Sequence, residues 1–210
     1  MNLYKKNLKK LTEAGAYYPS LEHDACGVGL VASTEGKKSR KIVEFGIQAL
    51  KAVWHRGAVD ADGKTGDGAG IQIEIPADFY KERIEFAGRK HHEGTICVGM
   101  IFLPRNDYSS QEKCKTLIET ELLSKNYYVY RWRQVPINTN VLGVKAENNR
   151  PEITQIIFKS NNKNLNGEEL EKDLFVVRKK IEKQSNILQL KDFYICSFSS
   201  RSIIYKGMFL

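Results

Sequence analysis

The chain has 210 residues, room for one large domain or two small ones, and its 41% hydrophobic content is enough for a buried core. With 28% charged and 10% aromatic residues it is not a disordered chain, and no apolar run reaches the length of a membrane helix. Basic residues outnumber acidic ones, 33 to 25, for a net charge of +8. Four of the lysines fall in the first ten residues and the rest are interspersed with Glu and Asp. No helix-turn-helix or aromatic RNA-binding motif accompanies them, so a solvated basic surface is expected and not a nucleic-acid interface.

Residues 1–25 form a polar, lysine-bearing leader with Gly15 and Pro19, which contributes little to a core. It lacks the apolar centre of a secretory signal, and the cytoplasm is the expected compartment. Residues 27–32 (GVGLVA) are a continuous apolar run of strand length. From Ser39 a helix is predicted, with Ile42, Val43, Gly46, Ile47, Leu50, Val53 and Trp54 on one face; Gly46 within that face points to close packing. A loop rich in Gly and Asp covers residues 55–70. Ile71, Ile73 and Ile75 then alternate with polar residues as a half-buried strand, stopped by Pro76.

Further along, a short helix is predicted over 78–86 and a buried strand over 95–103. A helix over 109–124 is expected to open on a Ser109/Glu112 capping box. Strands over 127–135 and 153–159 follow, then an Asn-rich loop (160–167) and a helix over 168–183 with Leu170, Leu174, Val177 and Ile181 on one face. Residues 192–199 and 201–206 read as a closing strand pair. Helices and strands mix without strict alternation, which points to α+β layers.

The four cysteines (Cys26, Cys97, Cys114, Cys196) are far apart and form no CxxC pair, so reduced thiols are expected and no zinc site; His91, His92 and Cys97 do not make a metal cluster. Residues 57–65 (GAVDADGKT) imitate a phosphate-binding loop, but five residues separate the glycines where that motif has four. The loop also follows a helix and precedes a strand, the reverse of what the motif requires.

Cys26 is different. The apolar run starts directly after it, Gly27 and Gly29 leave the backbone uncrowded, and the segment before it is dispensable to a core. Cleavage between Ala25 and Cys26 would give the thiol its own base. A free α-amino group titrates at about pH 8, close to the thiol, and can take its proton, whereas the amide of an uncut chain cannot. No histidine partner is then needed.

The stretches HDACGVGLVAS, QALKAVWHRGAVDADGKTGDGAGIQIEIP and FYICSFSSRSIIYKGMFL resemble the N-terminal glutaminase domain of glutamate synthase large subunits, a class II glutamine amidotransferase of the N-terminal-nucleophile hydrolases. Cys-Gly-Val-Gly, His-Arg-Gly and Thr-Gly-Asp-Gly-Ala-Gly in this order are specific together, and weak singly. The resemblance implies an αββα sandwich, here incomplete, with Cys26 opening a central strand, and it divides the chain into a pro-segment (1–25) and the first part of the amidotransferase domain (26–210). It makes Cys26 the nucleophile that attacks the glutamine side-chain amide, forms a γ-glutamyl thioester and releases ammonia. Arg56 and Gly57 would support the active-site strands, and the turn with Asp67 and Gly68 would shape the pocket wall. No cofactor is implied for this segment; FMN and an iron–sulfur cluster are implied for downstream synthase domains. The implied partners are glutamine, those domains, and a small electron-donating subunit or ferredoxin, with no nucleic acid and no membrane.

The family's glutamine-clamping arginine and its His-Asn-Gly oxyanion segment do not occur in the sequence. A truncated piece, close to inactive alone and poorly soluble, is therefore expected, since one oxyanion donor alone is worth ~10²–10³ in rate. The alternative is a non-catalytic binding module that keeps the amidotransferase scaffold.

Overall fold

The computed structural model describes residues 3–14, 27–53, 59–91 and 93–207. The chain divides into two units, Met1–Leu30 and Val31–Leu210. The first holds helix α1 (Leu3–Glu13), within the leader for which the sequence analysis gives no element, although Leu8 and Leu11 stand at helical spacing. The second begins with α2 (Arg40–Ala52), β1 (Ala69–Glu74), α3 (Ala77–Phe86), β2 (Ile96–Leu103) and α4 (Tyr108–Ser124). It continues with β3 (Tyr127–Gln134), α5 (Val144–Asn149), β4 (Glu152–Ser160), α6 (Gly167–Ile187), β5 (Tyr194–Ser199) and β6 (Ser202–Gly207).

The predicted α+β class holds. Strands β3, β4, β2 and β5 form an antiparallel sheet in that order, and β1 pairs antiparallel with β6 in a second sheet. The apolar run of β2 supplies both faces of the larger sheet. Cys97, Ile101 and Leu103 point to one side, where Ile118 and Leu122 of α4 and Leu170, Leu174, Val177 and Ile181 of α6 close a core. Ile96, Val98 and Met100 point to the other, against Tyr80 and Ile84 of α3 and Ile203 of β6. The order is therefore helices, sheet, then the smaller sheet with α3 beside it; the sheets do not close on each other. The close packing expected at Gly46 is present, since an added Cβ there would meet Ile71 Cδ1 of β1 at 3.2 Å.

Three expectations are corrected. The strand over residues 27–32 is not formed: residues 27–33 carry no regular structure, with Val28 92% and Leu30 90% exposed. Apolar side chains do not make a strand without a neighbouring backbone to take the N–H and C=O groups, and no described strand pairs with this segment. The start of α4 is capped not by Ser109 but by Asp107, whose carboxylate accepts from the Ser110 amide (3.0 Å) and hydroxyl (2.5 Å). A carboxylate there also faces the positive end of the helix dipole, which a Ser hydroxyl does not exploit.

The third correction concerns β5 and β6, which are not paired with each other but belong to different sheets. The chain turns a corner at Ser199–Ser200, and Glu171 of α6 holds it. Oε1 of Glu171 accepts from the Ser200 amide and hydroxyl (2.7 and 2.6 Å), and Oε2 from the Ser199 hydroxyl (2.9 Å). Ser199 Oγ then accepts from the amides of Arg201 and Ser202. The backbone at the corner is satisfied without a hairpin ladder, and β6 is free to lie over the larger sheet.

Gly99, at the centre of β2, has no room for a side chain. A Cβ there would stand 2.7 Å from Ile156 Cγ2 of β4 and 2.7 Å from Phe198 Cδ2 of β5. Gly99→Ala is expected to destabilise the protein by ~1–3 kcal/mol through overpacking, read by denaturant titration; an unchanged midpoint would contradict this account of the core.

Candidate functional site

Of the residues singled out from the sequence, Cys26, Arg56 and Gly57 lie outside the described residues. Asp67 and Gly68 are described, in the turn that leads into β1. Gly68 has φ of 118°, a backbone state that side chains rarely adopt, and this is a physical reason for glycine at that point of the motif. Gly70 is required for a different reason: an added Cβ would meet Lys206 Cβ at 2.9 Å and the Tyr205 carbonyl oxygen at 3.0 Å. β1 could not pair with β6 in this register with a larger residue there.

Just before this turn the chain folds into a small closed loop. Val59 and Gly66 form an isolated antiparallel bridge, and the Asp60 amide donates to the Thr65 carbonyl at 2.8 Å. Within the loop Asp62 is the organiser: Oδ1 accepts from the amides of Lys64 (3.0 Å) and Thr65 (2.7 Å), and Oδ2 from the Thr65 hydroxyl (2.6 Å). These bonds, led by the one from the Thr65 side chain, hold the Asp62 carboxyl well below the usual carboxylate range.

The loop is anchored to the opening turn of α5, more than 80 residues further along. Thr65, only 3% exposed, accepts from the Ala146 amide at 3.3 Å with the same oxygen that donates to Asp62. Lys145 Nζ donates to Asp60 Oδ2 at 2.5 Å. That bond lowers the Asp60 pKa and raises that of Lys145. The pair is largely exposed and adds little free energy, but it fixes the angle of approach. Gly143 admits the loop: a Cβ there would lie 2.2 Å from both Asp62 Oδ2 and Thr65 Oγ1. Thr65, Asp62 and Gly143 were not among the sequence candidates. The Asp-x-x-Thr spacing gave a local signal for the first two; Gly143 had none, because its partners are remote in the chain.

The remaining cysteines offer no alternative nucleophile. Cys97, Cys114 and Cys196 are free and buried. Burial pushes all three thiols up, Cys114 to about 11, so none forms the reactive thiolate near neutrality. His91 is engaged through Nδ1 with the Tyr130 hydroxyl at 2.7 Å. Among the described residues no group of three or more His, Cys, Asp or Glu side chains is disposed to hold a metal ion, and no helix is long and apolar enough to cross a membrane.

Comparison with known proteins gives the chain a family. The family model described as glutamine amidotransferases class-II matches residues 26–210. The glutamate synthase [NADPH] large chain of Azospirillum brasilense is 54% identical over 207 residues, covering 99% of this chain and 14% of that protein. The ferredoxin-dependent glutamate synthase 2 of Synechocystis sp. is 38% identical over 188 residues, covering 89% of this chain and 12% of the other. The glutamate synthase [NADPH] large chain of Bacillus subtilis is 33% identical over 194 residues, with 92% and 13% covered. This chain thus spans about one seventh of the length of these relatives. The motifs in their order, the stacked antiparallel sheets and a match that runs from Cys26 through the whole second unit agree: the chain belongs to the class-II glutamine amidotransferases.

Proposed function

We propose that this chain is the glutamine-hydrolysing part of a glutamate synthase, and that Cys26 is its nucleophile. The observation that carries the reading is the start of the family match, which falls at Cys26. That is the one residue where removal of residues 1–25 as a pro-segment would create a thiol with an amine base on the same residue. In the reaction the Cys26 thiol proton passes to the freed α-amino group, and sulfur attacks the side-chain amide carbon of glutamine. The tetrahedral adduct collapses as the proton is returned to the departing nitrogen, leaving a γ-glutamyl thioester and ammonia. Water then cleaves the thioester to glutamate and restores the thiol.

In this reading Arg56 and Gly57 support the nucleophile, and the turn with Asp67 and Gly68 forms a wall of the substrate pocket. The loop closed by Asp62 and Thr65 holds that turn at the entrance to β1. The ammonia serves transfer to 2-oxoglutarate in other domains of a longer polypeptide. Those domains are proposed to carry FMN and an iron–sulfur cluster, and to draw electrons from a small subunit or from ferredoxin. Ferredoxin occurs in one relative's name and NADPH in another's. The proposed compartment is the cytoplasm.

In the full-length protein Cys26→Ala is expected to abolish glutamine hydrolysis and glutamine-dependent glutamate formation, while formation from added ammonia continues. Persistent release of ammonia from glutamine by that variant would refute the assignment. The loop gives a second expectation. The Asp62 pKa is depressed in the folded state, so its stabilisation is complete above the unfolded value, 3.8, and fades as pH falls through the lower folded value. The Lys64 and Thr65 amide resonances should therefore hold constant down to about pH 4 and shift only below 3.8. A midpoint at or above 3.8 would show that the Asp62 hydrogen bonds do not persist in solution.

A further inference from the structure

Gln155 on β4 is completely buried, on the face of the larger sheet that meets β6 and α3. A primary amide in that position is costly unless its donors and acceptor are matched. Its Oε1 accepts from Arg133 Nη1 of β3 at 2.9 Å, and its Nε2 donates to the Tyr205 hydroxyl of β6 at 3.2 Å. Arg133 is itself held over the Phe79 ring of α3, 5.3 Å from its centroid. An apolar side chain would fill this place in the core without the desolvation cost, so the amide contributes specificity: it binds Tyr205 at one height over the sheet.

Tyr205 is the residue of β6 that stands opposite Ile71, and its carbonyl oxygen lies against Gly70. Gly70 ends the Thr-Gly-Asp-Gly-Ala-Gly motif. β1 has β6 as its hydrogen-bonded neighbour in the sheet, so the position of β6 sets that of β1. The buried Tyr80 hydroxyl of α3 lies in the same cluster and interacts with both Tyr205 and Gln155, so it shares the polar site that Gln155 builds between the sheets.

We infer that Gln155 and Tyr205 are positioning residues for glutamine hydrolysis: their amide–hydroxyl bond fixes β6, and through Gly70 fixes the Asp67–Gly70 turn at the substrate pocket. The inference rests on the proposed role of Cys26. It requires that the turn's placement affect the chemical step more than the binding of glutamine, because misplaced reacting groups raise the barrier without removing the contacts that hold substrate.

The test is kinetic, in the full-length protein, with Tyr205→Phe (which deletes the hydroxyl alone), Gln155→Leu, the double variant and Gln155→Glu. Each of the first two should lower kcat for glutamine hydrolysis about 10-fold, with KM within about 2-fold and ammonia-dependent glutamate formation unchanged. The double variant should lose no more than Gln155→Leu alone, because that substitution already removes the bond to Tyr205, together with the one from Arg133. Gln155→Glu, which still accepts from Arg133 and from the Tyr205 hydroxyl, should recover activity to within about 3-fold of wild type. Unchanged kcat in Tyr205→Phe, additive losses, or an equal fall in both activities with a lowered melting temperature would overturn the inference. Cys26→Ala, assayed alongside, separates two failures. If it still hydrolyses glutamine, the underlying functional reading is wrong; if it is silent while Tyr205→Phe behaves as wild type, the positioning role alone is wrong.

Discussion

The grip of Glu171 on the Ser199–Ser200 corner is the interaction on which the arrangement of the second unit depends. β5 is an edge strand of the larger sheet, and the next segment of chain would ordinarily fold back as its hairpin partner. The carboxylate takes up the corner's amide and two hydroxyls. Residues of β5 then complete the separation by hydrogen bonding to β6 through side chains. Ser197 Oγ accepts from the Ile204 amide, and Cys196 Sγ donates to the Ile204 carbonyl. β6 thus lies close to β5 without a ladder between them. It is available to pair with β1, and β1 carries the glycine-rich turn. The position of Asp67 and Gly68 is in this sense inherited from a carboxylate on α6.

Much of this architecture is legible in the sequence wherever local pattern and burial agree. The alternation of Ile71 and Ile73 with Gln72 and Glu74 is reproduced residue by residue in β1, and the four apolar positions chosen for α6 are all buried. Failures occur where a remote partner decides. Residues 27–32 have the composition of a strand and no described neighbour to pair with. β5 and β6 look like a hairpin because nothing in their own sequence reveals a carboxylate nearly thirty residues upstream. Helix α5 is six residues long and opens where Thr65 and Asp60 dock, so no periodicity within residues 144–149 could have announced it.

The candidate site divides in the same way. Glycines at 68 and 70 can be suspected from the motif, but their reasons differ, a positive φ in one and contact with β6 in the other, and only the fold tells them apart. The anchoring of the loop by Thr65 depends on Gly143, a residue with no motif of its own. For the proposed nucleophile, sequence carries the weight. The order and spacing of three short motifs point to the amidotransferases, and the family match agrees. The buried, high-pKa cysteines of the core serve packing and not chemistry.

The central claim is that Cys26, freed as the first residue of the mature protein, attacks glutamine. Its most direct test is mass spectrometry of the active full-length protein after exposure to a diazoketone analogue of glutamine, which alkylates a nucleophile only where glutamine binds. The account predicts one adduct, on a peptide that begins at Cys26 and is lost when glutamine is added in excess. An active protein whose first residue is Met1, or an adduct on any other residue with Cys26 unmodified, would contradict it.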